Sequence, residues 1–198
     1  VESIIVKDLM VPLDEYATVF EDATLSDAIS ALEETQAQFD QSKYMHRAIL
    51  VLEKKTGKVV GKLSQLDVIR SLEPNYDNIG QKDSLSRLNL TRFGFSAQFM
   101  ESMMKQYNLW DEPLDSICRK ARRKKVKDIM YTPSDGEYVQ ESYPLNKAIH
   151  QLIMGHHQSL IVTRDEEIVG ILRLLDVFMK LCASLKSQDA SNTKDAEI

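Results

Sequence analysis

Val60-Gly61-Lys62-Leu63-Ser64-Gln65-Leu66-Asp67-Val68 comes back as Val169-Gly170-Ile171-Leu172-Arg173-Leu174-Leu175-Asp176-Val177, with Val, Gly, Leu, Leu, Asp and Val unchanged in place. Upstream, Val6-Lys7-Asp8-Leu9-Met10 returns as Val126-Lys127-Asp128-Ile129-Met130. Between these blocks Leu25, Ala28, Ile29 and Leu32 return at the same spacing as Leu145, Ala148, Ile149 and Leu152. Three matched blocks in one order identify an internal repeat, so the chain carries two copies of one unit.

Each copy reads as β-α-β-β-α. A short extended piece at 18–20 or 138–140 precedes a helix with apolar residues at i, i+3, i+4 and i+7 from Leu25 or Leu145. Thr24 and Asp27 have the spacing of a capping box, and Pro144 suits a first helical position. Runs rich in Ile, Val and Leu then predict two hairpins, 48–52 with 59–63 and 160–163 with 168–172. A second helix is expected over 65–72 in copy one and 174–185 in copy two. The predicted organisation is repeat one at 1–72, a helical insertion at 73–125, repeat two at 126–186 and a frayed polar tail at 187–198. Copy one has extra loop residues at about 36–45. In the insertion, Phe95, Phe99, Met103 and Tyr107 form a helical stripe expected to be buried, and Asp111-Glu112-Pro113 reads as a helix start.

The chain has 198 residues, 43% hydrophobic and 28% charged, an ordinary globular composition. Its formal net charge of -5 argues against a nucleic-acid binder. No apolar run reaches the roughly 18–20 residues of a membrane span. Val1-Glu2-Ser3 opens without the basic and apolar stretches of a signal peptide. Cys118 and Cys182 stand outside any CxxC motif and read as reduced thiols of a cytoplasmic protein. Four scattered histidines without cysteine pairs make no metal site. GxSxG, GxxxxGK[ST] and HExxH are absent, and nothing nominates a catalytic residue, so no enzyme is expected.

The layout resembles the cystathionine-β-synthase (CBS) domain pair, a regulatory module. The resemblance covers both ends of the chain and rests on the pattern Gly, two hydrophobics, Thr or Ser, two variable residues, Asp. Copy one keeps the hydroxyl at Ser64 but has Lys62 for the first hydrophobic, and copy two has Arg173 in place of the hydroxyl. The resemblance implies two repeats packed by their sheets with pseudo-twofold symmetry, and adenosine-containing ligands in the clefts between them. Asp67 and Asp176 would accept from ribose hydroxyls, as an acidic residue does in dinucleotide folds. Ser64 would donate to a phosphate or ribose oxygen, and the Gly would clear the strand for an approaching ring. Arg173 would bind phosphate, fill the cleft or pair with a carboxylate. Ala17, Thr18, Ala48 and Ile49 would line the base slot of site one, and Glu137, Tyr138, Ser159 and Leu160 that of site two. His46, Arg47, His156 and His157 are candidates to reach phosphates.

AMP, ADP and ATP head the ligands so implied, followed by S-adenosylmethionine and NAD. No cofactor is expected. A homodimer or an effector protein would carry the output. Simpler readings stand beside these: an Asp near a helix start is a cap, and His156-His157 a solvated helix end. Arg119-Lys120-Ala121-Arg122-Arg123-Lys124-Lys125 reads as the cationic end of the inserted helix. Two other functions remain open, a ligand-free interaction module and a polyphosphate or nucleic-acid binder using residues 119–125.

Overall fold

The structure, a computed structural model, describes residues 4–38, 48–76, 79 and 95–195, with side chains as far as residue 186. Copy one runs β1 (Val11–Pro12), β2 (Thr18–Phe20), α1 (Leu25–Gln38), β3 (Ala48–Leu52), β4 (Val59–Ser64) and α2 (Gln65–Leu72). The insertion contributes α3 (Ala97–Tyr107) and α4 (Leu114–Ala121). Copy two supplies β5 (Tyr138–Gln140), α5 (Leu145–Gly155), β6 (Ser159–Arg164), β7 (Glu167–Arg173) and α6 (Leu174–Asp195). In each copy a helix crosses over to make a parallel pair, β2 with β3 and β5 with β6, and a hairpin adds the antiparallel strand.

The period of two along the middle strands assigns their faces. Ile49 and Val51 turn toward α1 and join Ala17, Leu25, Ala28 and Leu63 in one core. Leu160 and Val162 do the same with Val139, Leu145, Ala148 and Leu152 in copy two. Leu50 and Ile161 point the other way and meet Val11, Tyr16 and Ile171 in a third cluster that joins the two sheets. Each sheet is thus buried on both faces, one by its own helix and one by the other repeat.

The first block of each copy belongs to the opposite sheet. Val6 is buried in the core of copy two, where its N–H donates to Tyr143 O at 2.9 Å and Lys7 N–H to Glu141 O at 2.9 Å. Val126 takes the equivalent place in copy one, with Val126 N–H on Ala23 O at 2.9 Å and Lys127 N–H on Glu21 O at 3.0 Å. β1 pairs with β7, Val11 opposite Ile171, and Tyr131 bridges to Lys62 on β4. This exchange explains the repeated glycines. A Cβ on Gly170 would lie 2.5 Å from Val11 O, and one on Gly61 would lie 2.7 Å from Met130 Sδ. The close neighbour of each glycine is therefore the exchanged segment, not a ligand ring as the resemblance implied.

The Thr24–Asp27 capping box forms, with Thr24 N–H on Asp27 Oδ2 at 2.8 Å and Asp27 N–H on Thr24 Oγ1 at 3.2 Å. Three expectations change. Pro144 and Pro113 are the residues before their helices, so α5 and α4 start at Leu145 and Leu114. α6 continues ten residues past 185, to Asp195, because extending a helix already anchored by packing adds one hydrogen bond per residue and needs no new nucleus. The stripe on α3 is not buried: Phe99, Met103 and Tyr107 are half-buried and Phe95 is exposed. The extra loop of copy one beyond Gln38 lies outside the described residues.

The basic run fastens the insertion to copy one. Lys124 Nζ donates to Ser71 O and Lys125 Nζ donates to Asp22 O at 2.8 Å, while Lys120 binds Glu112 within the insertion at 2.6 Å. All three lysines of the run are spent on the protein itself. At the other end of the insertion, the buried Glu73 carboxylate accepts from Asn75 N–H at 2.9 Å and Trp110 N–H at 2.6 Å.

Candidate functional site

Strands β4 and β7 end at Ser64 and Arg173, and each runs directly into a helix. The register sets Ala48 beside Ser64 and Ser159 beside Arg173. Packing the two sheets face to face brings all four residues to one cleft of about 400 Å³. Tyr16 and Lys62 complete its copy-one wall, while Tyr131, Glu137 and His157 contribute from copy two. The volume suits a small-molecule site.

Lys62 interrupts an apolar pattern because it has a partner across the cleft. Its Nζ donates to Glu137 Oε2 at 2.5 Å, and the side chain of Glu137 is only 2% exposed. Tyr131 Oη donates to Glu137 Oε1 at 2.6 Å, and Ser134 N–H reaches the same oxygen at 3.2 Å. Burial pushes the Glu137 carboxyl up, but the bonds from Lys62, Tyr131 and Ser134 outweigh it and hold the group below the usual carboxylate range. The same bond to Glu137, with burial second, raises the Tyr131 phenol. Lys62 and Tyr131 also exchange backbone bonds, Lys62 N–H to Tyr131 O at 2.9 Å and Tyr131 N–H to Lys62 O at 2.8 Å. The two repeats are therefore tied at the cleft by an ion pair and a backbone bridge.

The two motif aspartates differ from each other: Asp67 keeps one open oxygen and Asp176 keeps none. Ser64 caps α2, and Asp67 Oδ2 accepts from Ser64 N–H at 2.8 Å and Ser64 Oγ at 2.6 Å. Its other oxygen, Oδ1, has no partner among the described residues. Asp176 is bound at both oxygens, by Arg173 Nε at 2.5 Å and Nη2 at 2.7 Å. Arg173 thus pairs with a carboxylate, one of the three roles open to it from the sequence.

Neither aspartate lines the central cleft. Asp67 opens instead on an adjoining depression of about 480 Å³, together with Arg70, Lys124, Ile129, Met130 and Tyr131. Tyr131 lines both spaces, and the Ser64–Asp67 bond joins one to the other.

Of the other residues expected at the site, Ala48, Glu137, His156, His157 and Ser159 reach the cleft. The side chains of Ala17, Ile49 and Leu160 do not, since they are buried in the two repeat cores. Thr18 lies on β2, and Tyr138 on β5 is partly exposed, with its carbonyl accepting from Gln151 Nε2 at 2.9 Å. His46 and Arg47 lie outside the described residues. His156 caps α5 in the left-handed conformation, φ 52°, and is exposed there as a helix end. Tyr16, Lys62 and Tyr131 were missed. The sequence did carry a trace of one pair: Lys62 replaces an expected hydrophobic and Glu137 stands where copy one has Ala17.

The family model for the CBS domain matches residues 6–74 and 126–182, together more than half of the chain. The chain belongs to the CBS domain family. Among solved structures, the CBS pair is similar to CBSX2 in complex with AMP, at 20% identity over 92% of this chain and 97% of that one, with a TM-score of 0.54. It is similar to a CBS domain-containing protein from Bacillus anthracis, at 18% identity over 91% and 94%, with a TM-score of 0.57. It also matches the CBS domain of a bacterial CNNM/CorC family Mg2+ transporter in complex with ATP, at 15% identity over 88% and 84%, with a TM-score of 0.53. It spans 60% of the length of one longer structure. At these identities the likeness is one of fold. A sequence search of curated proteins finds no match. Among the described residues of this CBS pair no helix is long and apolar enough to cross a membrane, and no cluster of His, Cys, Asp and Glu forms a metal site.

Proposed function

We propose that this CBS pair is a regulatory module, not an enzyme, that binds an adenine nucleotide between its repeats. The observation that carries the reading is the Oδ1 of Asp67, without a donor among the described residues and bordering a wall of Ile129, Met130 and Tyr131. A carboxylate oxygen beside two apolar side chains and an aromatic ring, in a depression otherwise lined mostly by polar and charged groups, suits a ribose hydroxyl joined to a flat base. Ser64, bonded to Asp67, then stands where the phosphates enter the central cleft toward Lys62 and His157. The complexes of similar CBS proteins with AMP and with ATP support this choice of ligand class. Because nucleotide would touch copy one at Asp67 and copy two at Tyr131, it favours the arrangement that holds both in place. A second copy packing on the exposed Ile69 of α2 and the exposed Phe178 and Leu185 of α6 would receive that change. Of the six cations in 119–125, the three lysines are engaged by the protein itself, which weighs against the run as a polyanion site.

A thermal-shift panel of AMP, ADP, ATP, S-adenosylmethionine and NAD on wild type and Asp67→Asn tests the reading. Ligand at a hundred times its Kd adds about 2.7 kcal/mol, or roughly 5–10 °C for a chain of this size. The wild type is expected to shift and Asp67→Asn to lose most of the shift. No shift with any of the five would defeat it.

A further inference from the structure

We infer that this chain holds one nucleotide and not two, because Arg173 closes the site of copy two from within. The inference rests on the nucleotide-binding reading and adds its stoichiometry. In copy one the serine occupies a single oxygen of Asp67, and the other has no partner among the described residues. In copy two both oxygens of Asp176 are taken by one guanidinium, and Arg173 is only 8% exposed. A ribose diol would have to displace a largely buried bidentate pair, which weakens binding there on the order of a hundredfold or more.

The surroundings differ in the same direction. The spacing of the repeat equates Arg70 with Met179, Lys124 with Ile4 and Tyr131 with Val11. The depression beside Asp67 thus has Arg70, Lys124 and an aromatic ring where copy two offers three apolar side chains, while Ser71 is matched by Lys180 and Asp128 by Asp8, so copy two keeps one cation in place of two. The substitution of Arg for the motif hydroxyl and the loss of the aromatic ring at the place of Tyr131 act together. Copy two keeps its Asp as the partner of Arg173, and the exchange of ligand is left to copy one.

Isothermal titration of the full chain with AMP and, separately, with ATP tests this. One site per chain is expected. Asp67→Asn keeps an oxygen to accept from Ser64 while replacing the spare acceptor, and should weaken binding at least about tenfold. Asp176→Asn should leave the affinity for both probes within about twofold, since it removes no ligand contact. Melting curves of both variants confirm that each is folded before titration. Two sites per chain, or loss of binding in Asp176→Asn with Asp67→Asn unaffected, would overturn the inference while the nucleotide-binding reading stands. No binding of either probe by the wild type would overturn both.

Discussion

Replacing Lys62 by Met, a side chain of the kind its motif expects, should cost this protein far more than a surface lysine is worth. The change removes the cation from Glu137, which is 2% exposed and keeps only the bonds from Tyr131 and Ser134. Breaking one side of a buried pair costs about 3–5 kcal/mol. A ceiling comes from the alternative of taking up a proton. From an ordinary Glu value near 4.3, that costs about 3.7 kcal/mol at pH 7 and about 1 kcal/mol at pH 5. With the two remaining donors still in place, the expected loss is about 2–3.5 kcal/mol at pH 7, shrinking toward about 1 kcal/mol at pH 5. The sign follows from linkage. The wild-type carboxyl lies below its unfolded value, so its contribution is present above about pH 4.3 and lost only as pH falls through the lower folded value. Without Lys62 burial dominates, the folded value rises, and the penalty grows with pH. Urea denaturation followed by far-ultraviolet circular dichroism at both pH values measures this, with a midpoint lowered by about 1 M at pH 7. The double change Lys62→Met with Glu137→Gln should recover most of the loss. A single variant within about 0.5 kcal/mol of wild type at pH 7, or an equal loss at both pH values, would refute the reasoning.

Gly170→Ala should destabilise by about 1–3 kcal/mol, because its Cβ meets the Val11 carbonyl at 2.5 Å and backbone must move. Gly61→Ala should cost less, as its nearest neighbour is the flexible Met130 thioether; the reverse order in chemical denaturation would contradict the exchange of segments. Burial raises the Tyr16 phenol to about 12. The stability it carries is complete below about pH 10 and falls by about 3 kcal/mol as pH rises through 12, a loss that Tyr16→Phe should remove from an alkaline melting series.

Local structure was legible where one strand or helix decides its own pattern. The boundaries of Gln65–Leu72 and Ala48–Leu52 follow from hydrophobic period and turn residues, and the Thr24–Asp27 cap from spacing alone. The exchange of Val6 and Val126 between repeats was not, because a two-residue strand has no period to show which sheet it joins. The glycine of the motif was read as room for a ligand, since sequence does not tell which backbone approaches it. Arg173 and Asp176 are three apart on a strand-to-helix junction, so their pairing was among the readings the spacing allowed. Lys62 and Glu137 are 75 residues apart, and only their shared departure from the internal repeat marks them. The stripe of α3 has the period of a buried helix, yet period reports one apolar face and not what covers it.

On the proposed reading, a nucleotide sits where the two repeats meet. Hydrogen exchange of the full chain, with and without saturating AMP, addresses it most directly. Slower exchange is expected of amides in both 62–67 and 129–131, on opposite repeats, with 119–123 unchanged. Protection confined to 119–123, or to one repeat alone, would sink the reading.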